Sequence, residues 1–286
     1  MKVAVCYSGN FRTFRQLIEN HKQNFLSLYD CDVYCSFWNH YGVSLRHYYW
    51  ADNEFNNKLI ATGAVETDLI TEEDKDFILK ELNPVAVEYE DFSIKKDLFT
   101  EMSRDIQNRH TRPYYRNIVS MFYKIWKCNN LVKKDYDVVV RMRPDMYFFN
   151  PFDKLLTPQP NCIYTDHNEA RSMPELGGCN DIFAYGDKAS MQKYSKSFSN
   201  WFELMHWYFN YVDKGIHPVD KNGDTIWLYK QGAYWSGEIV LKANLLYEDV
   251  NIVNDSNLFL QYKLFSEVFY DTHVESVQQL TDKILT

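Results

Sequence analysis

The sequence predicts an α/β protein in which a mostly parallel central sheet is flanked by helices, and three observations carry that prediction. Short apolar runs alternate with amphipathic stretches over the first 150 residues, the pattern left by strands whose crossovers are helices. The runs are rich in Val, Tyr and Cys and too short for helices. Small and polar residues follow the first of them, Ser8-Gly9-Asn10, where a strand must turn into a helix.

Taken in order, Lys2 to Tyr7 reads as a strand, and Phe11, Phe14, Leu17 and Ile18 recur at helical spacing after it. Asp32 to Trp38 reads as a second strand. Thr71 followed by Asp74 has the form of a capping box, which opens a helix through Leu82. Pro84 to Tyr89 gives a third strand, and the polar stretch from Ser103 to Arg112 reads as a loop. Tyr114 to Val132 is a long amphipathic helix carrying Met121, Phe122, Ile125, Trp126 and Leu131, and it feeds a strand over 136–142. Beyond Pro151 the pattern changes. Cys162 to Thr165 is a candidate strand, Gly177 to Gly186 a turn and strand, and Lys188 to Leu204 helical. Phe198 to Val212 reads as helix packed on core, Asp220 to Asp224 as a turn, and Ser236 to Leu246 as a last helix.

The chain has 286 residues, within the reach of one α/β domain. Its 22 Tyr and 19 Phe supply a large core. A net charge of -8 argues against a nucleic-acid partner, which would need a surplus of Lys and Arg on one face. No window is apolar enough for a membrane span, and the N-terminus has no signal-peptide pattern, so the expectation is a cytoplasmic protein with no integral membrane segment. Peripheral attachment to a membrane stays open. Six cysteines with no Cys-x-x-Cys pair are expected as reduced core thiols. His206, His217 and His273 lack the spacing of a zinc centre.

The stretch with most chemistry is Arg141-Met142-Arg143-Pro144-Asp145 at the exit of the apolar run that ends on Val140. Ligands of open α/β sheets bind beyond the carboxyl ends of the strands. A guanidinium is a planar fork of donors suited to phosphate oxygens, and a nearby carboxylate suits the divalent ion that phosphates bring. Arg141 and Arg143, two residues apart, face the same side. The competing reading is a surface ion pair closing a strand. Trp38, His40, Tyr48, Tyr49 and Trp50 form either a stacking wall for a ring or part of the core.

With these pieces in place, the chain resembles glycosyltransferases of the GT-A type, in particular the polysaccharide- and capsule-associated families with an R-x-R-x-D element. The likeness rests on the order of Val5 to Phe14, Asp32 to Trp38, Val138 to Met146 and Asn180 to Gly186. It implies a single GT-A-like (Rossmann-like) domain over 1–286, with a nucleotide-binding half over 1–150 and a helix-rich acceptor half over 151–286. It implies transfer of a sugar from a nucleotide-diphosphate donor to a glycan or polyhydroxyl acceptor. Ser8, Gly9, Asn10, Arg12, Arg141, Arg143 and Asp145 would bind the donor, and Asp145 would hold Mn²⁺ or Mg²⁺. Only the last carboxylate of the usual Asp-x-Asp is matched, because Arg143 and Pro144 precede Asp145.

An inverting reaction needs a base for the acceptor hydroxyl, and Glu238 and Asp181 are the candidates. Glu238 opens a helix whose N-terminus favours its ionised form; Asp181 enters an apolar strand, where a carboxylate is costly unless it is bonded. Two rivals share the sheet: a nucleotidyltransferase for activated sugars, and a non-catalytic carbohydrate-binding protein on a degenerate transferase fold.

Overall fold

The computed structural model describes residues 1–42, 69–109, 115–166, 179–214, 237–255, 258 and 262–264. Its centre is a seven-stranded mixed sheet of order β3-β2-β1-β4-β7-β6-β8. The strands are β1 (Lys2–Gly9), β2 (Asp30–Trp38), β3 (Ala86–Glu90), β4 (Val138–Met142), β6 (Cys162–Thr165), β7 (Phe183–Gly186) and β8 (Asn251–Asn254). Within it only β7 runs against its neighbours, antiparallel to both β4 and β6. A separate two-stranded ribbon pairs β5 (Met146–Phe148) with β9 (Tyr262–Leu264).

Alternation along the strands sorts the core into two layers. From β1, Val3, Val5 and Tyr7 join one layer with α1 (Phe14–Asn24) and α2 (Glu72–Leu82); Ala4 and Cys6 join the other. That second layer holds α3 (Phe92–Arg109), α4 (Tyr115–Leu131), α5 (Lys188–Ser195), α6 (Trp201–Lys214) and α7 (Gly237–Tyr247). Both faces of the sheet are therefore covered, and β4, buried at all five positions, reads as a continuous apolar run for that reason. Five of the six cysteines are buried and pack as small apolar groups.

The capping box of α2 forms as its sequence predicts: the Thr71 hydroxyl accepts from the Asp74 N–H, and the Asp74 carboxylate accepts from the Thr71 N–H. Two expectations need correction. Ser103 to Arg109 belongs to α3 rather than a loop, because Phe99 and Met102 anchor that helix in the core. The helix expected over Lys188 to Leu204 is broken after Ser195, and the chain turns before Trp201 starts α6. The short strands β8 and β9 carry no sequence signal of their own. Among the described residues no helix is long and apolar enough to cross a membrane.

Candidate functional site

β1 sends its crossover to β2 on one side, while β4, on its other side, leads toward β7. Beyond the carboxyl ends of β1 and β4, where the strand order reverses, is the place where open α/β sheets bind ligands. Two turns fill it. After β1, Gly9 takes a φ of +115°, and a Cβ there would meet nothing within 4 Å, so glycine serves the backbone rather than the packing. Arg12 follows with a φ of +48°, and its N–H donates to the Tyr41 carbonyl at 2.8 Å. It precedes α1, which begins only at Phe14. After β4, Arg143-Pro144-Asp145-Met146 makes a tight turn closed by Met146 N–H to the Arg143 carbonyl, with proline at the position that favours it.

That second turn folds Arg143 back on Asp145. Arg143 donates from Nε to Oδ1 and from Nη2 to Oδ2, both at 2.9 Å, in a bidentate pair. Arg12 donates from Nη1 to Oδ2 at 2.6 Å. Asp145 is only 5% exposed. Burial alone would raise its pKa, yet Arg12 and Arg143 outweigh burial and hold the carboxyl well below the usual carboxylate range. The strand end is thus a three-residue cluster around a buried carboxylate, its two arginines partly exposed.

His21 of α1 lies behind it, buried, with Nε2–H donating to the Met146 carbonyl. Its Nδ1 accepts from the Tyr7 hydroxyl at 3.1 Å. Burial pushes the His21 pKa down to about 4, against the raising effects of the Met146 carbonyl and Asp145. The imidazole is neutral and serves to fix the turn.

Arg143 also reaches across the sheet edge, with Nη1 at 4.0 Å from Asp181 Oδ1. Asp181, just before β7, sits against the first residue of α7. A Cβ on Gly237 would come within 3.0 Å of Asp181 Oδ2 and 2.9 Å of Met121 Cε, so a helix start without a side chain is what admits the carboxylate. Glu238 follows Gly237 and is half-buried; its carbonyl accepts from the Cys179 N–H at 3.1 Å. Asn180 donates to Asp166 and accepts from the Ile182 N–H, which fixes the approach to β7.

Of the residues singled out in the sequence, Arg12, Arg143 and Asp145 touch, and Asp181 and the Gly237-Glu238 helix start adjoin them. Ser8 is the next-to-last residue of β1, and Asn10 packs against Gly42. Arg141 lies below, 2% exposed, with Nη1 donating to the Met142 carbonyl; burial pushes its pKa down from the ordinary arginine value. His40 is elsewhere, its Nε2 3.6 Å from Asp91 beyond β3. Trp38 is core, stacked on Tyr123 and edge-on to Phe92 and Phe99. Tyr48, Tyr49, Trp50, His217 and His273 lie outside the described residues. Sequence reasoning missed His21 and Tyr194, since a lone His in a helix and one of 22 tyrosines carry no local signal.

A divalent ion at Asp145 does not fit this arrangement. Oδ1 accepts one guanidinium N–H and Oδ2 two, which leaves the carboxylate already neutralised by cations. Among the described residues no group of three or more His, Cys, Asp or Glu converges to hold a metal.

Compared with known proteins, the chain matches no protein-family model, and no curated protein matches its sequence.

Proposed function

We propose that this protein is a GT-A-type glycosyltransferase that moves a sugar from a nucleotide-diphosphate donor to a glycan or polyhydroxyl acceptor. The observation that supports it best is the pair of guanidiniums, Arg12 and Arg143, clamped on buried Asp145 at the point where the strand order reverses. Departure of a diphosphate builds negative charge on its oxygens, and donors fixed in advance stabilise that charge without reorganising. Asp145 is the anchor that fixes them. It holds Arg143 by one edge of its guanidinium and Arg12 through Nη1, which orients both rather than leaving long side chains to search.

In this reading the cationic charge at the diphosphate comes from arginine, and no step is routed through Mn²⁺ or Mg²⁺. Asp181 lies near Arg143 and the N-terminus of α7, and in this reading it accepts the proton of the attacking hydroxyl; Glu238, one residue into the same helix, is the second candidate. The backbone at Ser8-Gly9-Asn10 offers close approach to the nucleotide.

The test is nucleotide release across a panel of nucleotide sugars with a glycan acceptor mixture, run with Mn²⁺ and again with EDTA. Release that persists in EDTA and vanishes in Arg143→Gln is expected. Absence of turnover, together with absence of calorimetric binding by every nucleoside diphosphate, would overturn the proposal.

A further inference from the structure

Three polar atoms in one part of the molecule are buried with no hydrogen-bond partner: Ser8 Oγ, Arg141 Nε and Tyr194 Oη. Their residues are 1%, 2% and 0% exposed. All three belong to the sheet face covered by α4 and α5. Arg141 stands opposite Cys6 in the β1–β4 register, and Ser8, two residues on, projects to the same face as Cys6. Tyr194, in the last turn of α5, shares the core layer of Cys6 and Val139. α5 packs directly on β4, the strand that carries Arg141.

Buried polar groups are almost always satisfied, so three bare ones in one place need an account. The guanidinium is the costly member. Its one hydrogen bond goes to the Met142 carbonyl, and Asp181 acts on it through space with no bond between them. Arginine only donates, and both hydroxyls can donate, so the missing partner is an acceptor carrying negative charge.

The geometry points to an oxyanion subsite formed by Arg141, Ser8 and Tyr194, one layer beneath Arg143, that takes a single carboxylate or phosphate group. It rests on the transferase reading only for the larger ligand to which that group belongs. The group is either a phosphate of the donor or the carboxylate of an acidic sugar.

Calorimetry on the full chain with sodium pyrophosphate, inorganic phosphate and glucuronate, against glucose as the neutral probe, tests it. Wild type is expected to bind at least one oxyanion and ignore glucose. Tyr194→Phe and Ser8→Ala, which each remove one hydroxyl and keep the fold, are expected to weaken that binding by roughly tenfold. A preference for glucuronate assigns an acidic sugar, and a preference for pyrophosphate or phosphate assigns the donor diphosphate. Binding equal to wild type in both variants, with Tyr194→Phe melting higher, would mean that the bare hydroxyl meets only water and would overturn the subsite. Wild type that binds no free oxyanion would overturn it as well, and turnover of a nucleotide sugar by that same protein would leave the transferase reading standing.

Discussion

Two partly buried charge clusters adjoin this sheet, one on the face of β2 and β3 and one beyond the carboxyl ends of β1 and β4, and they differ in the kind of group left without a partner. On the β2–β3 side, Lys124 has a fully buried side chain with Nζ 2.6 Å from Glu90 and 4.5 Å from the centre of the Trp38 ring. Glu90 takes a second bond from Tyr123, and Glu88 is held by Ser36 and Lys127. Every oxygen in that cluster has a partner. On the β1–β4 side the Arg12–Asp145–Arg143 clamp is equally well bonded, but it adjoins Arg141 and two hydroxyls that are not. Burial of charge alone therefore does not mark a site. The difference lies in what is left bare: near β2–β3 it is an amide oxygen, an imidazole nitrogen and a phenol, Asn39 Oδ1, His40 Nδ1 and Tyr89 Oη, whereas on the β1–β4 side it includes a buried guanidinium.

Breaking each cluster separates the two cases. Asp145→Asn removes the charge that orders both guanidiniums, and transfer is expected to fall by about two to three orders of magnitude in a steady-state assay; a variant at wild-type rate would remove Asp145 from the site. Lys124→Met leaves Glu90, a quarter exposed, with the Tyr123 hydroxyl as its remaining partner, with an expected loss of about 1 to 3 kcal/mol in urea unfolding and no change in ligand binding. Adding Glu90→Gln is expected to restore most of that loss. A change in ligand affinity in either variant would make the β2–β3 cluster part of the site.

Acid acts on the β1–β4 side through His21. Its folded pKa of about 4 lies below the ordinary 6.5, so the unfolded chain takes up the proton first as pH falls. The stabilising contribution is full above about pH 6.5 and is lost toward pH 4, on the order of 3 kcal/mol. Urea midpoints at pH 7, 6, 5 and 4 are expected to fall, and His21→Gln is expected to flatten the decline. The smallest effect is expected for Gly9→Ala. A side chain there meets open space but must hold a φ of +115°, a backbone cost of about 1 to 2 kcal/mol read as a lowered melting temperature.

How much of this was legible depends on whether the signal is local. β1, β2, β4 and α4 announce themselves because burial on one or both faces dictates their apolar spacing. The capping box at Thr71 is equally local. The helix over Phe92–Arg109 was not read from the sequence, since its polar residues outnumber the few that anchor it. The site was legible as a list and not as an arrangement: Arg143 and Asp145 are neighbours in sequence, but Arg12 reaches Asp145 across 133 positions. No spacing encodes that contact. Nor could the sequence assign Asp145 to two arginines rather than a metal, because both roles use the same carboxylate at the same strand end. Tyr194 became visible only once its hydroxyl was found without a partner.

The sheet order also bears on the growing polypeptide. The ribosome delivers β1 to β4 first, and these four pair among themselves in the order β3-β2-β1-β4. The outer edge of β4 then waits for β7, whose Gly186 to Phe183 pair with Val139 to Met142. Until that antiparallel partner emerges, β4 presents a row of bare amides and carbonyls to any passing chain. A nascent fragment stopped after Phe148 is for that reason a sticky one, and the reversed strand β7 is its seal.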